Sequence, residues 1–315
     1  MPHPPLSSEF LGPSFTFAEA RAAGVARRRL AGADVGHPFR GVYTQGVDLT
    51  DLVQRCLALR PSMRSDQWFS HRTAARLWGI PLPWSEEEDG EQLDILTIGT
   101  HHPVRRSQVR SWETDDSEIR REIRGGVPLV AAEEAWCQLA TLSGDARLSE
   151  DRLVAAGDFV LSGIYHPKTD TWSPLCTREE LEKAVTRRKG RRGARRLRAA
   201  FERARETVGS VMETLLRLGL IDHGLPEPER QVPVDTAVGV LHADLGYPAA
   251  RLLIEYQGDE HRTSRERWLR DLTRAQLFED AGFRTMFVGA NDVLPDCAAL
   301  ATRVRRALAG RAYGV

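Results

Sequence analysis

Two carboxylates in the last third of the chain are predicted to meet on a β-hairpin, where they can bind a cation. A strand over residues 238–246 and a strand over residues 251–257 are joined by a turn at 247–250. Asp244 lies on the first strand and Glu255 on the second, so the hairpin brings them within reach of each other. Paired carboxylates suit a hard divalent cation such as Mg²⁺, for which Mn²⁺ can substitute. A water on that cation is deprotonated more easily and can attack a phosphodiester.

Three further side chains accompany this pair. Glu213 falls in the first turn of a helix over residues 210–220, where it can supply a third carboxylate. The Ser-Val-Met-Glu run at 210–213 is also a capping box, so we favour capping as the role of Glu213, and the two roles are compatible. His261, in the loop after the second strand, is either a general base at the site or a solvated residue. Arg274, on the next helix, can position phosphate or hold that helix by salt bridges, and we favour the structural role.

The elements around these residues predict a small α/β layer fold. From residue 209 the chain reads as a helix, the hairpin, a helix over 264–281, a strand over 283–288 and a helix over 296–309. Both faces of the second hairpin strand are largely apolar, so Glu255 lies on a covered strand and requires a partner. Helices interleaved with strands in this way pack as layers.

Five separated elements of this region form an ordered series. They are Glu213, His-Ala-Asp-Leu at 242–245, Leu-Ile-Glu-Tyr-Gln-Gly-Asp-Glu-His at 253–261, Arg-Asp-Leu-Thr-Arg at 270–274 and Gly-Phe-Arg at 282–284. The series resembles the PD-(D/E)XK nuclease superfamily, and within it the branch related to very-short-patch repair endonucleases. The resemblance implies a restriction-endonuclease-like α/β/α domain over 210–310 with a mixed sheet, in which Asp244 and Glu255 bind Mg²⁺ and Glu213 is an auxiliary acid.

One position departs from the superfamily pattern. The lysine expected two residues after the glutamate is Gln257 here. Lysine supplies a positive charge that stabilises the transition state, whereas glutamine can orient water and hydrogen-bond phosphate without carrying a charge. Some nucleases of the superfamily use Glu-X-Gln, so the substitution is compatible with activity.

Residues 14–50 are predicted to form a winged helix-turn-helix. A capped helix over 17–23, a second short helix over 25–31 and a strand over 39–43 follow one another. The second helix carries three arginines that can lie in a major groove, namely Arg27, Arg28 and Arg29. The alternative is a helical hairpin with a solvated basic face.

Residues 51–186 are predicted to form an α+β domain. The supporting elements are a helix over 70–79, a strand over 93–98 and helices over 131–142 and 150–161. His71, in the first turn of the first helix, is interpreted as packing on its own domain. Residues 14–165 resemble AbiEi-type antitoxins of type IV toxin–antitoxin systems, through Gly-Val-Tyr at 41–43 and Ser-His-Arg-Thr-Ala-Ala at 70–75 with Leu77 and Gly79. This resemblance implies DNA binding by the winged helix and a cognate toxin as partner.

An arginine-rich run begins at residue 187, and the segment 187–209 is predicted to be a basic linker or solvated helix. A phosphate-contacting face is the alternative, with Arg191, Arg192 and Arg195 as its candidate DNA contacts. The whole chain has 44 basic and 44 acidic residues and a formal net charge of zero. This balance excludes a protein that holds nucleic acid by bulk charge.

Several features predict a cytoplasmic protein with no membrane partner. No apolar run is long enough for a transmembrane helix, and the N-terminus lacks the basic and apolar regions of a signal peptide. The four cysteines lie far apart without a CxxC pair, which argues against a zinc site or a disulfide framework.

Together these patterns predict an α/β multi-domain protein that is a Mg²⁺-dependent DNA endonuclease, a hydrolase of phosphodiester bonds. Asp244 and Glu255 bind the metal in this interpretation. Gln257 orients the attacking water, and Glu213 and His261 assist. The alternative is an AbiEi-like transcriptional regulator or antitoxin whose nuclease-like domain is inactive. A homodimer is compatible with either function.

Overall fold

The computed structural model describes residues 12–83, 92–99, 104–258 and 265–310. The chain divides into two compact units, Met1–Gly144 and Asp145–Val315. The basic segment predicted as a linker lies within the second unit, because a helix that starts at Ala194 buries Leu197 and Phe201 there. The four-part division drawn from the sequence stays a prediction.

The first unit opens with a small antiparallel sheet and a short helix. Its elements are β1 (Ser14–Thr16), α1 (Phe17–Ala22), β2 (Gly36–Phe39) and β3 (Val42–Thr44), and the strand order is β1-β3-β2. Thr16 caps α1 in a capping box with Glu19, which confirms the predicted helix start.

Two local predictions in this region were wrong. The second helix is a five-residue 3₁₀ turn over Arg27–Ala31, because Ala26 before it has no capping side chain. The strand predicted over 39–43 is instead the β2–β3 hairpin, whose turn is closed by Gly41 at φ 79°. A 3₁₀ turn this short lacks the length of an α-helix that fills a major groove.

The rest of the first unit is built on a mixed five-stranded sheet with the strand order β6-β5-β4-β8-β7. Its elements are α2 (Leu52–Leu59), β4 (Gln67–Phe69), α3 (His71–Leu77), β5 (Leu93–Ile98), β6 (Val109–Thr114), β7 (Arg121–Arg124), β8 (Val127–Val130) and α4 (Ala132–Leu139). These bounds confirm the predicted helix over 70–79 and strand over 93–98, and they shorten the helix predicted over 131–142 at its C-terminal end.

The second unit begins with helices and a short hairpin. Its first elements are α5 (Glu150–Ser162), β9 (Ile164–His166), β10 (Thr171–Ser173), α6 (Arg178–Arg187) and α7 (Ala194–Arg203). α5 confirms the helix predicted over 150–161. Across the residues that the structure describes, no helix combines the length and apolar character needed to cross a bilayer.

A mixed four-stranded sheet forms the rest of the second unit. Its elements are α8 (Val211–Asp222), β11 (Glu229–Thr236), β12 (Gly239–Tyr247), β13 (Leu252–Tyr256), α9 (Arg265–Asp280), β14 (Arg284–Val288), α10 (Ala290–Val293) and α11 (Ala298–Ala309). The strand order is β11-β12-β13-β14, with β13 and β14 parallel and the other pairs antiparallel. The hairpin and the elements after it confirm the sequence prediction, which had missed β11.

Helices cover both faces of this sheet. On one face Ile254 packs with Leu216 of α8 and Leu300 of α11. On the other face Leu253 packs with Phe278 of α9. The alternation of β13 predicted from the sequence is therefore confirmed, and its two buried faces hold the strand that carries Glu255 in place.

Candidate functional site

Three carboxylates from three elements line one pocket of about 530 Å³ in the second unit. Glu213 comes from the first turn of α8, Asp244 from β12 and Glu255 from β13. The other lining residues are Ser210, Val211, Met212, Tyr256, Gln257, Gly258, Arg274 and Phe287. The structure thus brings together the three acidic residues that the sequence singled out, as well as Gln257.

Asp244 and Glu255 lie where β12 and β13 stop pairing. The ladder between these strands ends at the pair Leu245–Ile254. Beyond this pair, the two carboxylates accept hydrogen bonds from backbone N–H groups that are not paired between β12 and β13. Asp244 N–H donates to Glu255 Oε1 at 3.1 Å, and Tyr256 N–H donates to Asp244 Oδ2 at 2.8 Å. These reciprocal bonds fix both carboxylates at the opening between the strands.

The side-chain alternation of β12 breaks at Asp244. Ala243 packs in the apolar cluster on the α9 face, whereas Leu245 packs in the cluster on the α8 face. On the neighbouring strand, between the residues that pair with Ala243 and Leu245, Gln231 adopts φ 45°. A left-handed residue other than glycine costs about 1–2 kcal/mol, so packing on both sides must hold this irregularity in place. No pattern in the sequence predicts this irregularity.

Glu213 lines the pocket and forms only half of the predicted capping box. The Ser210 side chain accepts the Glu213 N–H at 3.1 Å, which confirms Ser210 as the N-cap of α8. The Glu213 carboxylate accepts the N–H of Gly209 at 2.9 Å, one residue before the N-cap position that a capping box would use. Its Oε2 also lies 3.5 Å from Nε2 of Gln231. The carboxylate therefore lines the pocket, and the bond to the Ser210 N–H that would complete the capping box is replaced by the bond to Gly209.

Burial and like charge act together on these acids. The pKa of Asp244 is raised well above its ordinary value, first by burial and then by the negative charges of Glu213 and Glu255. The Tyr256 N–H and the Arg274 guanidinium oppose this rise in the pKa. Burial likewise raises the pKa of Glu213. A cation in the pocket would favour the ionised form of both acids.

The donor set suits Mg²⁺ as a cation held by two carboxylates. No group of three His, Cys, Asp or Glu side chains has the geometry of a metal site within the part of the chain that is described. Mg²⁺ usually keeps several waters and takes one or two carboxylates from the protein. Asp244 and Glu255, which share one opening between strands, meet that requirement.

Gln257 directly follows β13 and lines the pocket. Its backbone N–H donates to the carbonyl oxygen of Val288 at 2.8 Å, which continues the pairing with β14 and holds the residue beside the carboxylates. His261, the remaining candidate of the site, lies outside the described residues, and its role stays a prediction.

Arg274 is a site residue for which the sequence analysis favoured holding the helix over positioning phosphate. Its Nε donates to Glu255 Oε2 at 3.0 Å, and its Nη2 donates to the backbone carbonyl of His242. The expected salt bridge is therefore present, but its partner is a candidate metal ligand. The contact joins α9 to β13 over 19 residues of sequence, so local spacing could not predict it.

A buried polar network beneath α8 was also missed. Asp158 of α5 accepts hydrogen bonds from Thr214 and Arg217 of α8, both at 2.8 Å. Arg217 also donates to Glu227 at 3.1 Å. Burial raises the pKa of Asp158, although Arg217 opposes the rise. This network fastens α8, and with it Glu213, to α5.

The predicted DNA contacts of the second unit lie around the turn between α6 and α7. Arg191, Arg192 and Arg195 are exposed. Arg195 also lines a pocket of about 410 Å³ with Lys189 and Arg198. The positive charge that the sequence predicted for this segment is therefore accessible to an anionic partner.

The candidate residues of the first unit fall into two groups. Arg27 and Arg28 are exposed on the 3₁₀ turn. Arg29 forms a two-pronged ion pair with Asp34, with distances of 2.9 and 2.6 Å, so its guanidinium has a structural partner within the unit.

His71 is buried and stacks on Trp112 with ring centroids 3.8 Å apart. Its backbone N–H donates to Gln138. These contacts confirm the structural interpretation of His71.

Two curated relatives match the chain, both from Mycobacterium tuberculosis. They are the uncharacterized protein MT2308 of strain CDC 1551 / Oshkosh and the uncharacterized protein Rv2248 of strain ATCC 25618 / H37Rv. Each is 36% identical over 137 residues, which are 43% of this chain and 51% of the relative. The chain thus spans about half the length of the relatives that it matches. No family model and no solved structure matches the chain.

Proposed function

We propose that the second unit is a Mg²⁺-dependent DNA endonuclease that hydrolyses phosphodiester bonds. The observation that carries this proposal is the convergence of Glu213, Asp244 and Glu255 on one pocket, at the point where β12 and β13 part. The negative charges of three clustered carboxylates repel one another when no metal ion is bound. Such a cluster of like charges is characteristic of functional sites.

Each residue of the site has a proposed role. Asp244 and Glu255 hold the cation, which when bound lowers the pKa of water and offsets charge on the phosphate; Mn²⁺ can replace Mg²⁺. Gln257 orients the attacking water through its side-chain amide. Glu213 supports the site as an auxiliary acid. His261, as the sequence predicts, assists as a base or positions the phosphate.

DNA is the proposed substrate because exposed arginines occur in both units. Arg27 and Arg28 lie on the 3₁₀ turn of the first unit, and Arg191, Arg192 and Arg195 lie around the α6–α7 turn of the second. Guanidinium groups on exposed turns bind phosphate with little sequence preference. This assignment fits an enzyme of the cytoplasm, where DNA and Mg²⁺ meet.

Cleavage of plasmid DNA tests the proposal. The purified 315-residue chain is expected to nick or linearise supercoiled plasmid with Mg²⁺ or Mn²⁺ and to lose that activity in EDTA. Asp244→Ala should lower the rate by at least about 100-fold. Asp235→Ala, which removes an exposed carboxylate from neighbouring β11, should cleave like the wild type. Equal cleavage rates for the two variants would show that the proposed site does not carry the activity.

A second candidate function is an AbiEi-like DNA-binding regulator or antitoxin with an inactive nuclease-like unit and a cognate toxin as partner. The ion pair between Arg274 and Glu255 favours it, because one candidate ligand is neutralised without a metal. Tight binding to its own promoter fragment in a gel-shift assay, with no cleavage in either metal, would favour this function over the nuclease.

A further inference from the structure

The pocket that holds the three carboxylates is also lined by a single described cation. Among the lining residues that the structure describes, Arg274 is the one with a positively charged side chain. A phosphodiester carries a negative charge and would meet strong repulsion from Glu213, Asp244 and Glu255. A positive charge beside the carboxylates, such as that of Arg274, would reduce this repulsion for an anionic substrate.

The Arg274 guanidinium is held from three sides. Its Nε donates to Glu255 Oε2 at 3.0 Å, its Nη2 donates to the carbonyl of His242, and its Cζ lies 4.9 Å from the ring centroid of Phe278. These contacts come from β13, β12 and α9. An arginine fixed in this way loses little further side-chain entropy when it binds a ligand.

Arg274 keeps donors available despite these contacts. A guanidinium has five N–H donors, and the two described hydrogen bonds of Arg274 use two of them. Its side chain is 30% exposed, whereas that of Arg217, the structural arginine of the same unit, is 1% exposed between Asp158 and Glu227. The exposed fraction therefore leaves Arg274 accessible to a ligand, whereas Arg217 is enclosed in the core.

We infer that Arg274 is a catalytic residue that binds a phosphate oxygen of DNA in this pocket and offsets its negative charge. The inference rests on the proposed nuclease function and adds the residue that contacts the substrate. Gln257 lines the same pocket from the end of β13, so the substitution Gln257→Lys would place a positive charge there.

The salt dependence of DNA binding tests the contact without requiring cleavage. A short duplex is titrated in Ca²⁺ at several salt concentrations, with Arg274→Gln compared with the wild type. Loss of one phosphate contact should reduce the slope of log K against log salt by about 0.9. The control is Arg303→Gln, which removes a charge that is paired with Asp292 and does not line the pocket, so the slope should stay unchanged. An unchanged slope for Arg274→Gln would overturn the inference.

Cleavage assays separate a catalytic role from a helix-holding role. Arg274→Gln should lower the cleavage rate by about 100-fold or more, and Arg274→Lys by less, because lysine keeps the charge but not the planar donor geometry. Adding Gln257→Lys to Arg274→Gln should restore at least about tenfold of the loss, since it returns a positive charge to the pocket. Failure of this rescue, together with a fall in thermal stability, would reduce Arg274 to a structural residue.

The two proposals fail in different ways. If the wild type binds DNA but cleaves no faster than Asp244→Ala, the nuclease function is wrong, and the slope measurement still decides the phosphate contact of Arg274. If the wild type binds no DNA, both proposals are wrong.

Discussion

Arg217→Met should destabilise the second unit strongly, because it leaves a buried carboxylate without its charged partner. Arg217 and Asp158 each have 1% exposed side chains, joined at 2.8 Å. Methionine fills a similar volume but removes this ion pair and the 3.1 Å contact with Glu227. The bonds that remain to Asp158 come from the hydroxyl of Thr214 and the N–H of Arg205. Removing one partner of a buried pair costs about 3–5 kcal/mol.

The size of the effect can be read from urea denaturation and thermal melting. For a unit of this size, about 1 kcal/mol corresponds to about 2–4 °C, so the melting temperature should fall by roughly 6–20 °C. Arg203→Met is the matched control. Its ion pair with Asp222 has a 2.6 Å contact, but the side chains are 33% and 50% exposed. Its loss should change the free energy of unfolding by less than about 1 kcal/mol.

The sign of the pH dependence gives a second check on Arg217→Met. Burial raises the pKa of Asp158, and Arg217 opposes that rise. Without Arg217, the pKa of folded Asp158 lies further above its unfolded value, so the folded variant binds a proton more tightly than the unfolded chain. The deficit should therefore shrink at acidic pH and grow as the pH rises through the folded pKa. A deficit under about 1 kcal/mol at neutral pH would refute the importance of this network.

Two further predictions concern the pocket and the hairpin before α6. Asp244→Asn should stabilise the metal-free protein at about pH 8, because its raised pKa makes ionisation oppose folding. The gain should vanish below the unfolded aspartate pKa of about 4, and a melting series over that range that showed no pH dependence would contradict the explanation. Gly163→Ala should lower the free energy of unfolding by roughly 2–4 kcal/mol. Gly163 has φ 68°, and the new Cβ would lie 1.7 Å from the carbonyl oxygen of Ser173. Gly190→Ala, with open space at φ 80°, should cost only about 1 kcal/mol in the same urea titration.

The fold of the last hundred residues could be predicted where the signals are local. Gly282 marks the end of α9, and the alternation of β13 identifies a strand with two buried faces. β11 was missed because Pro233 breaks the strand pattern and charged residues occupy both ends of the strand, namely Glu229, Arg230 and Asp235. The prediction of a basic α-helix over residues 25–31 was wrong, because composition does not distinguish an α-helix from a 3₁₀ turn over so few residues.

The candidate site divides in the same way. Asp244 and Glu255 are joined by a short hairpin, so their convergence follows from sequence. The left-handed backbone of Gln231 and the reach of Arg274 to Glu255 depend on packing between distant segments. A sequence pattern lists the residues of such a site but does not tell which charges face one another.

Binding of Mn²⁺ to the 315-residue chain, followed by electron paramagnetic resonance, tests the central claim most directly. The claim is that Asp244 and Glu255 together hold a divalent cation between the parted strands. The wild type should bind one Mn²⁺ in this unit, and Asp244→Asn and Glu255→Gln should each weaken the affinity by at least about tenfold, while Asp235→Asn leaves it unchanged. Equal affinity for all four proteins would contradict the claim.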